Sequence, residues 1–357
     1  MRKAVSIALF LIFFGTSLFA EERDTVLNNV ESNLNSEINL NPQFRGTLRV
    51  RGEHDFNENV NRFSVVNARA VVFGNANEWL SYQMQVDLNN HGQFRLLDME
   101  ARFRENRDLS FRVGQMLVPF GQIQQLVPRM VVFTELPWIV RYMSGSFRDI
   151  GVNATYRFRI NDFPASFTGG IYNGAGINNP VWSNSFAHSF RLMFGGMSGF
   201  RFSLKTYHAE NLALEIPTKH EIYGIDFRFF NNGLTIDAEI IRGNYIRAGE
   251  TMRKVGSFLH VGQLFHTGKN TLKYLEPIVR WDMMGMANNF DFSDANRLTF
   301  GLNFGFREFN QNQFFRTAEL RLNYAMNFVN ENRASLYFGD NRALWANKLI
   351  LEFLLEI

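Results

Sequence analysis

The 357-residue chain contains no cysteine. Disulfide frameworks, thiolate metal sites and cysteine nucleophiles are thereby excluded. Lysine is scarce, with seven against 30 arginines and none between Lys3 and Lys205. After residue 20 no apolar run approaches the roughly 20 residues that a membrane-spanning helix requires, and the mean hydropathy is slightly negative. A helical membrane protein is excluded on that ground. Charge of neither sign dominates: the net +3 falls to +1 once Arg2 and Lys3 are set aside. The seven histidines are scattered. Metal-ligand clusters, phosphate-cradling glycine loops and nucleic-acid signatures are missing. No metal, cofactor or nucleic-acid partner is expected.

What is present begins with an export signal. Met1-Arg2-Lys3, an apolar run from Ala4 to about Phe14, and Gly15-Thr16-Ser17-Leu18-Phe19-Ala20 read as a signal peptide cut after Ala20. No cysteine follows that could carry a lipid anchor. Residues 21–41 are polar and Asn-rich and read as a lead-in. Residues 42–357 show no linker or composition shift and read as one domain.

Over that domain the dominant signal is a two-residue beat. In Leu80-Ser81-Tyr82-Gln83-Met84-Gln85-Val86-Asp87-Leu88 every even residue is apolar or aromatic and every odd one polar. A strand turns successive side chains to opposite faces, so this segment has one greasy face and one wet face. Equivalent alternation marks 44–53, 97–104, 149–159, 234–240, 297–307 and 318–326. Compatible runs lie near 62–74, 109–116, 164–172, 185–194, 200–208, 221–230, 255–265, 271–281 and 347–357, making sixteen. The fold class is all-β: a transmembrane antiparallel β-barrel of about 16 strands, apolar faces toward lipid and polar faces toward a lumen. The 38 phenylalanines supply the lipid-facing band and its girdles. A soluble β-sandwich would turn its polar face outward and rarely needs so many strands in one domain. Asn161-Asp162, Gly196-Met197-Ser198-Gly199 and Asn231-Asn232-Gly233 read as tight turns; 209–219, 243–253 and 282–296 read as outer loops.

Residues 117–147 break the beat. A long connection is often functional, and this one is apolar (Val131-Val132-Phe133, Trp138-Ile139-Val140), so it should fold into the lumen as a constriction loop. Its arginines, Arg129 and Arg141, with Arg148 beside it, are the constriction candidates. Strand parity also points Arg45, Arg49, Arg51, Arg102, Arg104, Arg112, Arg157 and Arg159 into the lumen. Charged side chains lining a narrow channel set ion preference. Glu53, Asp87, Asp98, Glu100 and Asp149 share those faces, so structural salt bridges compete with transport roles. An outer-membrane lipase would need a Ser and a His together on the outer wall. His188-Ser189 and Ser257 with His260 match no defensible spacing, so no catalytic residue is assigned. A structural or adhesive barrel without transport is the other alternative.

Several motifs carry a family resemblance. Val65-Val66-Asn67-Ala68-Arg69 with Gly74, Val113-Gly114-Gln115-Met116 with Pro119-Phe120-Gly121, Phe133-Thr134-Glu135, Arg148-Asp149-Ile150-Gly151-Val152 and Arg321-Leu322-Asn323-Tyr324 resemble segments of the phosphate-selective porin O and P family. The resemblance implies a homotrimeric sixteen-stranded channel in a Gram-negative outer membrane, contacting lipid and passing small hydrophilic or anionic solutes. It adds Arg69 to the pore-lining residues and Glu135 to the constriction. Asn67 stands where the family has an Arg, Ile357 where such barrels usually end in Phe, and 117–147 lacks the family's constriction lysines.

Overall fold

The computed structural model describes residues 40–357 apart from 91–92, 124–129, 144–147, 184, 197, 212–217, 248–249, 287–293, 310–315 and 331–344. The expected signal peptide lies outside the described residues, as does nearly all of the polar lead-in.

The strands are β1 Gln43–Asp55, β2 Val60–Asn75, β3 Leu80–Asn90, β4 Gln93–Arg104, β5 Leu109–Leu117 and β6 Arg148–Ile160. They continue as β7 Phe163–Tyr172, β8 Ala187–Gly195, β9 Gly199–Asn211, β10 Thr218–Asn231 and β11 Leu234–Arg247. Then come β12 Glu250–Gln263, β13 Tyr274–Met286, β14 Ala295–Gly305, β15 Ala318–Val329 and β16 Lys348–Glu356. Phe265–His266 is a two-residue continuation of β12 against β13. It resumes pairing past a gap that lies opposite Pro277, which has no N–H to offer a neighbouring strand.

Each strand pairs antiparallel with its sequence neighbours, and β1 pairs with β16 to close the barrel. Closure leaves no unpaired edge, which a wall standing in lipid cannot tolerate. The last residue takes part: Ile357 N donates to the Gly46 carbonyl and Gly46 N to the Ile357 carbonyl, both at 3.0 Å. All sixteen expected strands are found, and the alternation holds along them. On β9, Phe200 and Leu204 stand outside while Arg201, Ser203 and Lys205 are buried inside.

The turns 76–79, 105–108, 161–162, 196–198 and 232–233 share one end with both ends of the barrel chain, here called the short-turn end. At the other end, every described residue of the expected outer loop 243–253 is strand, and β13 runs on to Met286, into the expected loop 282–296. The strands are taller than the lipid band. Above it the polarity of the two faces inverts: Arg242 and Asn244 point outward and Tyr245 inward.

Residues 117–147 leave β5 and return at β6, and their described part folds inside the barrel. It includes one short helix, α1 Trp138–Tyr142. Two glycines mark its root. Gly114 and Gly151 are direct register partners, and Gly114 has φ +122°. A Cβ at Gly114 would collide with the Met99 carbonyl oxygen and the Glu100 backbone. We expect Gly114→Ala to destabilise the barrel by about 1–3 kcal/mol, the range for a forced backbone conformation. Gly46→Ala, whose Cβ would meet only Ile357 Cβ at 3.9 Å, should be near neutral. The temperature at which each variant loses its compact, fast-migrating form on gels measures both.

Candidate functional site: the lumen and its constriction

The inner wall of the upper β7–β14 sector is apolar. Tyr172, Tyr207, Ile222, Ile241, Phe258 and Met284 form one buried cluster with Phe120, Trp138, Ile139, Val140 and Met143 of the inserted segment. Burying each large apolar side chain contributes about 1.5–3 kcal/mol, which is what draws a greasy loop inward rather than into water. The loop's backbone must then find partners away from solvent.

The wall supplies them. Arg49 Nη2 donates to the Thr134 carbonyl at 2.9 Å, and Arg51 Nη2 donates to the same oxygen. Arg280 Nη1 donates to the Glu135 carbonyl at 2.8 Å and Arg297 Nη2 to the Leu136 carbonyl at 3.0 Å. Asn303 donates to the Val132 carbonyl at 3.0 Å. Asn323 Oδ1 accepts from both N and Oγ1 of Thr134, and Asp282 Oδ1 accepts from Trp138 N. At the loop's two flanks Gln122 bonds to Asp237, and Tyr245 donates to the Met143 carbonyl.

A second inward segment closes the same sector from the short-turn end. Phe309, from the β14–β15 connection, packs with Phe230, Leu264, Tyr274 and the loop's Met130. Arg316 from that connection is buried on Glu276 at 2.7 Å. Between these apolar layers lies a charged one. Lys205 sits between Asp226, at 2.9 Å, and Glu239. Arg191 also reaches Asp226, and His260 meets Asp237 at 3.0 Å.

The β1–β6 side is different. Apart from Arg49 and Arg51, which lie under the loop, its inward arginines stay partly accessible: 13% for the Arg148 side chain, 18% for Arg69, 21% for Arg112 and 37% for Arg102. Arg102 and Arg112 are register partners on β4 and β5 and share Glu100. Arg104 and Arg157 lie within electrostatic reach of Arg102. Arg157 N donates to the Asp108 carbonyl, so this group sits near the short-turn end. Arg159 reaches the Asp162 carbonyl at 3.4 Å. Arg69 faces the lumen beside Asp87, Arg148 pairs with Asp98 and Arg45 with Glu356. Eight arginines thus share this wall with four paired carboxylates, Asp87, Asp98, Glu100 and Glu356.

Of the expected constriction residues, Arg129 lies outside the described residues. Arg141 is exposed on α1, with its guanidinium 5.7 Å from the centre of the Tyr142 ring. Glu135 pairs with Arg297 at 3.0 Å. Arg49 and Arg51, expected along an open pore, lie against the loop. Arg280, Arg297 and Arg316 were not among the expected site residues, although strand parity on β13 and β14 carried the signal for the first two. Neither Ser–His pair considered for the lipase alternative comes together. His188 points outward while Ser189 is buried inside against Pro119, and Ser257 points outward while His260 is buried inside.

A closed sixteen-stranded barrel with a segment folded into its lumen is the architecture of a porin. Residues 38–195 match the family described as phosphate-selective porin O and P. Over that stretch the chain is similar to the porins of that family. Solved structures agree in fold. The anion-selective porin from Comamonas acidovorans superposes with TM-score 0.60 at 10% identity, covering 89% of this chain and 99% of that one. The outer membrane protein OmpT of Vibrio cholerae, in its trimer form, gives 0.57 at 12%, with the same coverage. The outer membrane channel DcaP of Acinetobacter baumannii gives 0.55 at 11%, covering 89% and 97%. Among curated proteins none matches the chain in sequence.

Burial alone would raise the pKa of Glu135. Arg297, Arg51, Lys348 and Arg141 outweigh it and hold the carboxyl at about 2. A depressed folded pKa means that the stabilisation is complete above the unfolded value of 4.5 and is lost as pH falls through the folded value. The Glu135→Gln variant should therefore unfold earlier than the parent at pH 7 and by the same margin at pH 5. The gap should narrow as the pH approaches 2. Thermal unfolding across that range measures it.

Proposed function

We propose that the chain is a passive channel for small hydrophilic solutes with a mild preference for anions such as phosphate. In this reading it is exported by its signal peptide and works as a homotrimer in a Gram-negative outer membrane, in contact with lipid. Solutes pass along the β2–β6 wall and the Arg45 end of β1, because the described parts of the constriction loop and of the 306–317 connection fill the rest of the lumen. The observation that carries the reading is the accessible arginine wall: Arg45, Arg69, Arg102, Arg104, Arg112, Arg148, Arg157 and Arg159 outnumber the carboxylates they are paired with. In a low-dielectric channel such an excess concentrates anions. Arg141, exposed on α1, adds to it from the loop. The trimer rests on the family resemblance and on the OmpT relative described as a trimer.

Planar-bilayer recording in a salt gradient tests this. An anion-directed reversal potential is expected. Absence of conductance would return the structural-barrel alternative, and cation-directed reversal would remove the anion preference alone. Replacing Arg102 and Arg112 with Ala should lower the anion-to-cation permeability ratio about two- to fivefold, the effect of losing up to ~1 kcal/mol of attraction in water-like surroundings. An unchanged ratio would take these two arginines out of the mechanism.

A further inference from the structure

We infer that Arg49, Arg51, Arg280 and Arg297 form a clamp that positions the constriction loop and so sets the pore's aperture, rather than reading solute charge. The inference rests on the reading of the chain as a channel, and goes beyond it by dividing the lumen arginines into two working groups.

The clamp has a repeated construction. Two wall carboxylates each grip two of the clamp guanidiniums. Glu352 on β16 accepts from Arg49 at 2.8 and 3.0 Å and from Arg51 at 2.8 and 3.1 Å. Asp282 on β13 accepts Arg280 Nε at 2.8 Å and Arg297 Nε at 2.9 Å. Each guanidinium also turns a terminal nitrogen to the loop. Together the four cover the carbonyls of three consecutive residues, Thr134, Glu135 and Leu136. A planar fork held on one edge by a carboxylate presents its other donors in a fixed direction, which a lysine ammonium cannot do. The rings beneath add to the fixation: the guanidinium carbon of Arg280 lies 4.5 Å from the centre of the Phe133 ring and that of Arg297 4.7 Å from the Trp138 ring.

Exposure sets Arg280 and Arg297 apart, whereas Arg49 and Arg51, at 12% and 9%, lie next to the 13% of Arg148 and belong to the clamp by their bonds to the Thr134 carbonyl. The side chains of Arg280 and Arg297 are 2% and 3% accessible, against 37% for Arg102. A passing anion meets Arg102 and meets almost nothing of Arg280. The clamp arginines therefore act on transport through where they hold residues 132–138.

The test compares two variants with the same loss of charge. Arg51→Gln with Arg280→Gln opens the clamp while leaving each carboxylate a cation: Glu352 keeps Arg49 and Arg321, and Asp282 keeps Arg297. Arg102→Gln with Arg112→Gln alters the accessible wall. The clamp pair should raise single-channel conductance and admit sugars that the parent excludes. It should move the reversal potential less than the wall pair does. Trypsin cleavage after Arg141 in the folded protein, which reports loop release without any conductance, should accelerate at least tenfold (about 1.4 kcal/mol). If the glutamine pair fails to fold, Arg51→Lys with Arg280→Lys keeps the charge but loses the fork, and the same changes are expected. Unchanged conductance, sugar limit and cleavage in a folded clamp variant would overturn the inference. So would a reversal shift as large as that of the wall pair. A parent that does not conduct would instead sink the channel reading, and the cleavage measurement would still decide the clamp.

Discussion

A peptide segment drawn into a barrel brings its carbonyl groups out of water, and each needs a donor from the wall that surrounds it. Here the donors at the centre of the inserted segment are guanidiniums. An arginine reaching a carbonyl makes a charge-assisted bond, about 1.5–3 kcal/mol, but a guanidinium buried without a carboxylate would be far costlier than the bond is worth. Glu352 and Asp282 resolve that conflict by each holding two of the clamp arginines. The position of the loop, the filling of the β7–β15 sector and the eccentric course left open along β2–β6 all depend on this arrangement.

The chain's preference for arginine over lysine acquires a structural meaning from it. On the clamp and on Arg316, which bonds both oxygens of Glu276, the planar fork spans two acceptors at once. Lys205 serves a different geometry. It lies between Asp226 and Glu239 with Phe120 of the loop 5.3 Å from its ammonium.

Much of the fold was legible in the sequence because lipid enforces it. The outward face must be apolar over the height of the hydrocarbon, so period-two alternation persists on strands with little else in common. The same cause explains where the reading stopped short. Above the lipid band the outward face meets polar surroundings, and in this sector the inward face meets an apolar loop. Residues such as Ile241, Arg242, Asn244 and Tyr245 therefore reverse the pattern, and 243–253 looks like a loop although its described residues are all strand. The inserted segment was legible from its own apolar residues. Its partners were not, because parity tells which face a side chain takes but not which sector of the lumen a loop will cover. Arg49 and Arg102 have the same parity signature and different surroundings. Gly114 and Gly151 stood in the recognised motifs, but their meeting in register follows only from the pairing of β5 with β6.

Net charge near zero does not oppose an anion preference once the charges are sorted by accessibility. Charges in the packed sector, such as Arg280, Arg297, Arg316, Arg321, Asp226, Asp237, Glu276, Asp282, Glu319 and Glu352, are buried against one another. Paired at about 3 Å in a medium of low dielectric, they present little field to a solute on the far side of the loop. The wall along β2–β6 and the Arg45 end of β1 is wet, and there arginines exceed carboxylates. In such surroundings one unit charge at 4 Å contributes about 1 kcal/mol, and at physiological salt its reach is about 8 Å. A pore narrowed to that scale keeps a permeating ion within range of the wall arginines, whereas in an unobstructed barrel most ions would pass beyond it. The clamp and the accessible wall are thus complementary: the first brings the ion close enough for the second to act on it.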